Sequence, residues 1–283
     1  MWQSNMQTIV VGYQYDRNFN SHNIGASLMK NSLANVQARR ADIERLVDRH
    51  GIVTVKGLAL RLEVSEITIR RDLKILHAME RVKWHNGLVE AIARQGGGEQ
   101  RTLAVIAQRI AAAVPNYIAR YSTLFMNANS LCLQVINELA KIPVTVITNN
   151  PCATACARHE GTKIMITGGR VSTKKSVLAG SETLNFLSSA IADVTVIGCD
   201  GISVDGGLTS SNAEAAAIDS MMVTKAKKCV ICLADYRKIS ATQQYHIADL
   251  GEVDILITDS FADEAVLQRA RRKGINVIQV TVW

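Results

Sequence analysis

The first third of the chain carries three sets of apolar residues at helical spacing. Residues three and four positions apart share one face of a helix, so each set marks a face that packs into a core. The three sets are Ile43, Leu46 and Val47; Leu58 and Leu62; and Ile69, Leu73 and Leu76. We expect Gly51 to end the first helix, residues 53–55 to be extended, and Ser65 to cap the third helix.

The pattern then changes to a period of two. Two apolar residues alternate with polar and cationic ones, as in a strand with one buried face: Val82 and Trp84 with Arg81, Lys83 and His85. Asn86 and Gly87 follow, and because both tolerate positive φ this pair predicts a tight hairpin turn. Three helices followed by a hairpin are the order of a winged helix-turn-helix domain, which we place at residues 34–92.

Two segments without periodicity flank this domain. Residues 1–33 are rich in Asn, Gln and Ser, and they predict a mobile tail. A translation start at Met29 would leave residues 1–28 outside the native protein. Residues 93–100, A-R-Q-G-G-G-E-Q, have the composition of a flexible linker.

From residue 101 to residue 283, short apolar runs alternate with helical patterns. The runs are V-T-V-I-T at 144–148, K-I-M-I-T at 163–167, V-T-V-I-G at 194–198, C-V-I-C-L at 229–233, D-I-L-I-T at 254–258 and N-V-I-Q-V at 276–280. The helical patterns cover residues 105–114, 131–140 and 262–273. Continuous apolar strands between helices predict an α/β domain, a parallel sheet covered on both faces. Ligands on such sheets bind at the carboxyl ends of the strands.

The composition agrees with two globular domains. The chain has 283 residues, of which 48% are apolar and 20% charged. No apolar run approaches the roughly 18 residues of a membrane span, so no membrane partner is expected. The N-terminal segment lacks the basic flank and long apolar core of a secretory signal. Six cysteines do not form a disulfide scaffold in a chain of this length, so we expect a reducing, cytoplasmic location.

The net charge of the first domain is small, so the positions of its cationic residues matter more than their number. The whole chain carries +7, but residues 34–92 hold 11 Lys and Arg against 8 Asp and Glu, a net of +3. Arg70, Arg71 and Lys74 lie off the apolar stripe of the third helix, where they could reach a major groove while the hairpin holds the DNA backbone. A merely solvated basic surface is the alternative for this helix taken alone.

The segment V-S-E-I-T-I-R-R-D-L-K-I-L at 64–76, preceded by H-G-I-V-T-V-K-G-L-A, resembles the DNA-binding signature of the DeoR family of bacterial transcriptional regulators. The family commonly continues with R-V-H-G-G, whereas this chain has V-K-W-H-N-G at 82–87. The resemblance implies a double-stranded DNA operator, a homo-oligomer (dimer or tetramer), and repression of genes for sugar uptake or use. The residues expected to contact DNA are Ser65, Thr68, Arg70, Arg71, Lys74, Arg81, Lys83, His85 and Asn86.

The second domain resembles the sensor half of the same family. That half is similar in fold to ribose-5-phosphate isomerase and binds a phosphorylated sugar or related metabolite. The expected effector contacts lie in glycine-rich and polar turns after the strands: Asn127, Asn129, Ser130, Thr148, Asn149, Gly168, Gly169, Arg170, Asp200, Gly201, Glu214, Lys225, Asp235 and Lys238. Cationic members would bind a phosphate, and carboxylates would accept hydrogen bonds from sugar hydroxyls.

One segment departs from the family pattern. The family commonly has D-S-G-T-T after the first sensor strand, and this chain has Asn127-Ala128-Asn129-Ser130-Leu131. Ser130 can still cap the next helix and offer an anion site there, and Asn129 can still adopt positive φ. Asn127 cannot act as a base. The effector therefore differs from the family norm, binds weakly, or is absent.

Two further functions and one further site are open to test. A sugar-phosphate isomerase fused to a DNA-binding domain could use Asp200, Glu214 and Lys225, but we assign no catalytic residue. A helical adaptor without DNA affinity is the other alternative. Cys229 and Cys232 resemble half a metal site, yet residues three apart in a strand point to opposite faces, so we predict neither a metal nor another cofactor.

Overall fold

The computed structural model describes residues 33–92, 98–157, 160–172 and 177–282. The predicted tail lies outside these residues except for Leu33, and so does most of the predicted linker. The α-helices of the described residues are α1 (Leu33–His50), α2 (Val55–Arg61), α3 (Glu66–Ala78), α4 (Gly98–Ala113), α5 (Ser130–Glu138), α6 (Ser181–Ser189), α7 (Ala213–Thr224) and α8 (Glu264–Arg272).

The strands follow the same chain order. Three belong to the N-terminal domain: β1 (Ile52–Thr54), β2 (Val82–His85) and β3 (Leu88–Ala91). The others are β4 (Thr123–Met126), β5 (Thr145–Thr148), β6 (Lys163–Ile166), β7 (Arg170–Ser172), β8 (Val177–Ala179), β9 (Ala192–Gly198), β10 (Gly201–Ser203), β11 (Gly207–Ser210), β12 (Ala226–Leu233), β13 (Tyr245–Ala248), β14 (Ile255–Asp259) and β15 (Asn276–Val280).

The N-terminal domain is a winged helix-turn-helix, as the sequence predicts. The apolar stripe of α3 is buried against α1 and α2, with Ile69 and Leu73 fully covered. The antiparallel sheet has the order β1-β3-β2. One boundary differs from the expectation. Val55 is the first residue of α2 and not part of the strand, because the Thr54 side chain accepts a hydrogen bond from the Gly57 N–H and starts the helix there.

The hairpin turn between β2 and β3 has the geometry that its sequence requires. Asn86 and Gly87 have φ of 47° and 78°, so both central residues are left-handed. His85 then pairs with Leu88 across the turn. Because this turn twists in the same sense as its strands, the wing keeps one fixed register.

The second domain is built on a seven-stranded parallel sheet of order β15-β14-β12-β9-β4-β5-β6. Each of the six predicted apolar runs forms one of these strands, and β4 is the seventh. Alternate residues enter cores on opposite faces: Leu124 and Met126 pack with α4 and α5, whereas Phe125 packs with α6 and α7. The predicted α/β architecture is confirmed.

Two smaller sheets follow the ends of these strands. The hairpin β7-β8 comes after β6, and the antiparallel sheet β10-β11-β13 begins directly after β9. The chain therefore builds additional structure at the carboxyl edge of the parallel sheet. This edge is where the sequence places the effector.

Helix α4 connects the two domains and corrects the linker prediction. It begins at Gly98, so the last part of the segment predicted as a linker is helical. Ile52 of β1 and Leu88 of β3 lie in the same apolar core as Ile106 and Ile110 of α4. The other side of the core consists of sensor residues on α5, β4 and β14. The DNA-binding domain is thus docked on the sensor through a shared core.

Among the described residues, every helix is too short or too polar to cross a bilayer.

Candidate DNA-binding surface and effector cavity

The start of α3 is fixed by its own side chains. The Ser65 Oγ accepts a hydrogen bond from the Thr68 N–H at 3.2 Å, and the two hydroxyl oxygens lie 2.9 Å apart. Ser65 is therefore the N-cap that the sequence predicts. Both predicted DNA contacts at this turn already have partners, so their first role is to orient the helix.

A buried carboxylate that the sequence analysis missed joins α3 to α1. Asp72 is 2% exposed. It accepts hydrogen bonds from the Nε of Arg39 at 2.6 Å and from the Nε of Arg40 at 2.9 Å. The signal in the sequence was an acidic residue directly beside the buried Leu73, matched by two consecutive arginines two helices earlier. These bonds set the angle at which α3 presents its outer face.

The outer face of α3 is cationic. Arg70, Arg71 and Lys74 are exposed. Arg70 pairs with Glu66 one turn earlier at 3.3 Å, both side chains being about half exposed. Arg71 and Lys74 make no hydrogen bond or ion pair with any residue that the structure describes. Their charges are available to a polyanion without the loss of an internal contact.

The wing lies beside this face. Arg70 lines one groove together with Trp84, His85, Asn86 and Gly87. Lys83 is exposed on β2 and has no charged partner in the described part of the chain. Arg81 is paired with Glu44 of α1, and His85 lies 3.5 Å from Glu90 of β3. The helix and the wing tip thus form one continuous surface, on which Arg71, Lys74 and Lys83 form no ion pair with a described residue.

At the other end of the molecule, four predicted effector residues line one small cavity. It has a volume of about 80 Å³ and lies between the ends of β4, β5 and β9 and the first two turns of α7. The predicted residues are Asn127, Asn129, Asn149 and Asp200, and the remaining lining includes Gly198, Cys199, Ser210, Ala215 and Asp219. The topology therefore brings together residues that are distant in the sequence.

Asn127 has a bonding pattern that connects three elements. Its Nδ2 donates to the Gly198 carbonyl at 2.8 Å and to the Asp219 carboxylate at 2.9 Å. Its Oδ1 accepts from the Gly198 N–H at 3.1 Å. The side chain ties the end of β4 to the end of β9 and to α7. It shapes the cavity, and its amide groups already have partners.

The segment 127–131 differs from the expectation in two respects. The N-cap of α5 is Asn129, not Ser130, because the Asn129 Oδ1 accepts from the Leu131 N–H at 2.9 Å. Asn129 has a φ of −77°, so it is not left-handed. Gly198 makes room for this cap, since a Cβ there would lie 2.2 Å from the Asn129 Cγ. The Leu131 N–H in the first turn of α5 is therefore already bonded within the chain.

Asn149 differs from the other amides of the cavity. It is 2% exposed, and its Nδ2 donates to the Leu178 carbonyl of β8 at 3.0 Å. The Leu178 N–H in turn donates to the Asn149 carbonyl at 2.9 Å. The Asn149 Oδ1 is buried and accepts no hydrogen bond from the described residues. A buried acceptor without a donor costs free energy, so this amide is held in place at the expense of some stability.

Two carboxyl groups complete the cavity. Asp200 accepts hydrogen bonds from the Ser211 N–H at 3.0 Å and the Ser211 hydroxyl at 2.7 Å. Asp219 is buried on α7, and burial raises its pKa to about 7; the Asn127 amide opposes this shift, and the nearby Asp200 charge adds to it. Asp219 was missed by the sequence analysis because it lies on the inner face of an alanine-rich helix.

Several predicted effector contacts have a role in the fold. The Thr148 Oγ1 accepts from the Asn150 N–H at 3.1 Å. A Cβ on Gly169 would lie 2.8 Å from the Ala179 carbonyl, and one on Gly201 would lie 2.6 Å from the Ala241 carbonyl. The Gly168 carbonyl accepts from the Thr183 hydroxyl at 2.8 Å. These glycines and this threonine permit close backbone packing around the cavity.

Four of the charged residues predicted to contact the effector lie in two places: one pair is beside the cavity wall, and the other two residues are at the turn after β12. Arg170 of β7 pairs with Glu214 of α7, next to Ala215 on the cavity wall, so this exposed pair lies at the rim. Asp235 follows β12, caps the turn 236–238 and binds Arg237 at 2.8 Å. Lys238 ends that turn and is partly exposed.

Lys225 does not belong to this site. Helix α7 starts at the carboxyl edge of the sheet and ends at the opposite edge, where the Lys225 carbonyl accepts from the N–H of Ala192, the first residue of β9. The seven residues of β9 separate the two edges. At about 3.3 Å per residue, Lys225 lies about 20 Å from the cavity. The prediction failed because α7 runs antiparallel to the strands, so a residue at its end lies at the opposite edge of the sheet from the cavity.

The two cysteines of β12 lie in apolar cores, whereas Cys152 is exposed. Cys229 and Cys232 enter cores on opposite faces of the sheet. Cys232 faces Cys199, with the two sulfur atoms 3.9 Å apart. In the described ranges, no cluster of three His, Cys, Asp or Glu side chains is placed to bind a metal.

Known protein families match both domains. Residues 39–94 match the DeoR-like helix-turn-helix domain. Residues 106–260, more than half of the chain, match the DeoR C-terminal sensor domain. The two matches correspond to the two domains of the fold and leave the first half of α4 between them.

Characterised relatives match over nearly their full lengths. The HTH-type transcriptional repressor GlcR of Bacillus subtilis is 28% identical over 86% of this chain and 95% of its own. The L-fucose operon activator of Escherichia coli is 28% identical over 78% and 94%, and the glycerol-3-phosphate regulon repressor of Haemophilus influenzae is 25% identical over 81% and 90%. Ribose 5-phosphate isomerase from Plasmodium falciparum is 17% identical over 48% of this chain and 53% of its own, with a TM-score of 0.34.

Proposed function

The chain belongs to the DeoR family of transcriptional regulators, and on that premise we propose that it represses genes for carbohydrate uptake or catabolism under the control of a phosphorylated sugar. Membership makes it a DNA-binding regulator of sugar metabolism and not an enzyme. Two of the relatives described above are named repressors and one is named an activator. Repression is therefore more common than activation among these three relatives.

The main support for DNA binding is the exposed cationic face of α3 beside the wing. Arg71 and Lys74 project from α3, and Lys83 projects from the wing. We infer that α3 enters the major groove, that Arg71 or Arg70 contacts a base edge, and that the wing residues contact phosphates. Arg70 must first release Glu66, whereas Arg71 has no ion pair to lose among the described residues.

The proposed repressor acts as a dimer or tetramer. Helix-turn-helix dimers bind two half-sites related by a two-fold axis, so a change in the spacing of two α3 helices changes operator affinity. An effector that binds one spacing better than another would shift the population between them. The shared core at α4 supports this mechanism, because it connects the sensor to the wing.

The DNA-binding assignment is tested with Arg71→Ala. We expect the variant to bind a duplex, selected by the parent protein from a random pool, more weakly by roughly 1–3 kcal/mol. Arg272→Ala removes the same charge from an exposed position at the end of α8 and should bind like the parent. The readout is fluorescence anisotropy over a series of salt concentrations. Equal affinities for the Arg71 variant and the parent would show that α3 does not face the bases.

The effector assignment is tested with a panel of glucose 6-phosphate, fructose 6-phosphate, glycerol 3-phosphate and their unphosphorylated counterparts. We expect at least one phosphorylated compound to raise the melting temperature and to lower affinity for the selected duplex. Compounds that bind without any change in DNA affinity would exclude control by that ligand. An increase in DNA affinity would indicate a co-repressor or an activator.

A further inference from the structure

We propose that Ile67, in the first turn of α3, reads a thymine of the operator by packing against its 5-methyl group. Ile67 has this role only if α3 lies in the major groove, as proposed above. It is not among the polar and cationic residues that the sequence predicts to contact DNA. It would add an apolar contact to them, and it would make the operator sequence depend on a methyl group as well as on hydrogen bonds.

Ile67 is exposed although α3 has a well-buried apolar stripe. It is 64% exposed, whereas Ile69 and Leu73 of the same helix are fully covered. Ile67 is also absent from the group of apolar residues that forms the core of this domain. The domain core therefore does not require an apolar residue at this position.

The side of α3 that carries Ile67 lies opposite the core. Ile67, Arg71 and Lys74 are spaced at i, i+4 and i+7, so they line one side of the helix. At roughly 100° per residue, this side lies about 180° from the stripe that contains Ile69 and Leu73. All three residues on it are exposed. The side that would enter a groove thus carries two cations and one apolar side chain.

The major groove has a partner for both kinds of side chain. Guanine offers two acceptors to an arginine, and thymine offers a methyl group to an apolar side chain. Phosphates bind cations but offer no apolar surface. In unmodified DNA, the thymine methyl is the apolar group that the major groove presents to a protein. It is therefore the part of a duplex whose chemistry matches Ile67.

The place of Ile67 in the helix suits a base contact. It is the second residue of α3, and the N-terminal residues of a recognition helix are those that reach base edges. The Ser65 hydroxyl accepts from the Thr68 N–H at 3.2 Å and so holds this turn in place. Ile67 precedes Arg71 by about 6 Å along the helix axis, and base pairs are about 3.4 Å apart. The thymine should therefore lie within about two base pairs of the base that Arg71 contacts.

The test removes methyl groups from the DNA one at a time. Each thymine of the duplex selected by the parent protein is replaced by deoxyuridine, which still pairs with adenine but lacks the methyl group. Binding of the full chain is measured by fluorescence anisotropy. We expect replacement at one position of the half-site to weaken binding to the parent about fourfold, which corresponds to one buried methyl group. In Ile67→Ala the same replacement should weaken binding less than about 1.5-fold, because the partner of the methyl group is already absent.

Met79→Ala is the matched control, because it also removes an exposed apolar side chain from an end of α3. Met79 is 63% exposed and lies at the opposite end of the helix from Ile67. This variant should retain the full cost of each thymine replacement. Ile67→Ala should fold, since alanine is the better helix former at an exposed position. It should also keep the parent's dependence of affinity on salt, because no charge is removed.

The outcomes separate the role of Ile67 from the function on which it depends. If the parent binds the selected duplex but no thymine replacement is coupled to Ile67, or if the selected half-site contains no thymine, Ile67 does not read the operator although the DNA-binding function stands. Equal coupling in Met79→Ala would also exclude a specific contact by Ile67. If the parent binds no duplex at low salt, the DNA-binding function fails and the role of Ile67 fails with it.

Discussion

At the scale of single residues, buried carboxyl groups set the geometry of both functional regions. Asp72 fixes α3 against α1, and Asp219 lies beneath the effector cavity. The two differ in their partners: Asp72 binds two arginines, whereas Asp219 binds the Asn127 amide. The two arginines offset the cost of burying the negative charge of Asp72. The neutral amide of Asn127 offsets less of that cost for Asp219.

Asp72→Ala should destabilise the DNA-binding domain by about 2 kcal/mol, because it leaves two partly buried guanidinium groups without their shared acceptor. Asp48→Ala removes an exposed carboxylate from α1 and should change the free energy of unfolding by less than about 0.5 kcal/mol. Urea denaturation followed by circular dichroism measures both. A loss for Asp72→Ala no larger than for Asp48→Ala would mean that the bridge does not hold α3.

Asp219 should make the sensor less stable as pH rises. Burial raises its folded-state pKa from 3.8 to about 7, so between these values the folded protein binds more protons than the unfolded chain. The free energy of unfolding therefore falls as pH rises through this range, and the penalty is complete above pH 7. Each pKa unit corresponds to about 1.4 kcal/mol, which gives a penalty of a few kcal/mol.

Asp219→Asn tests this directly, because an amide oxygen can still accept from Asn127 but cannot ionise. We expect the variant to be more stable than the parent at pH 8 and nearly equal to it at pH 4. Asp259, whose pKa burial raises to about 6, remains in both proteins, so their difference isolates Asp219. Thermal unfolding at several pH values is the measurement, and a difference independent of pH would contradict the assignment.

At the scale of elements, the wing depends on one left-handed turn. Asn86 has φ of 47°, which costs a residue with a Cβ about 1–2 kcal/mol unless its side chain tolerates that region. Asn tolerates it, glycine does so fully, and a β-branched residue does not. The replacement of the family's glycine by Asn86 therefore preserves the hairpin.

Asn86→Val should destabilise the wing by about 1–2 kcal/mol and weaken DNA binding, whereas Asn86→Gly should retain both. Hydrogen exchange of the amides in β2 and β3 reports the wing, and anisotropy with the selected duplex reports binding. Equal exchange rates in the valine and glycine variants would show that the turn geometry does not control the wing.

At the scale of the whole molecule, the two domains share an apolar core through α4. Ile52 lies in the DNA-binding domain but packs with α4 and the sensor core, whereas Ile43 packs within its own domain. Both are fully buried. The contact means that the sensor and the wing should unfold together and respond to each other.

Ile52→Ala and Ile43→Ala separate these roles. Each should cost about 2–5 kcal/mol through the cavity that it leaves. Only Ile52→Ala should divide the calorimetric transition into two and reduce the effect of a bound sugar phosphate on DNA affinity. A single transition with unchanged coupling in Ile52→Ala would mean that α4 does not transmit the signal.

Local patterns predicted much of this molecule because the forces behind them act over a few residues. The period of Ile69, Leu73 and Leu76 predicted α3, the cap at Ser65 predicted its start, and Asn86-Gly87 predicted the wing turn. The apolar runs predicted the strands of the parallel sheet. Periodicity and turn chemistry are properties of adjacent residues, so the sequence contains them directly.

The remaining features required the tertiary structure, because they depend on which distant residues meet. Asn127 meets Asp219 across 92 positions, and this contact turns a predicted ligand into part of the cavity wall. Lys225 lies at the wrong edge because α7 runs back across the sheet. The Leu178 carbonyl of β8 accepts from the Asn149 Nδ2, while the buried Oδ1 of the same amide has no donor among the described residues. Hydrogen-bond satisfaction and burial are decided by the packing of the whole chain, and no local pattern encodes them.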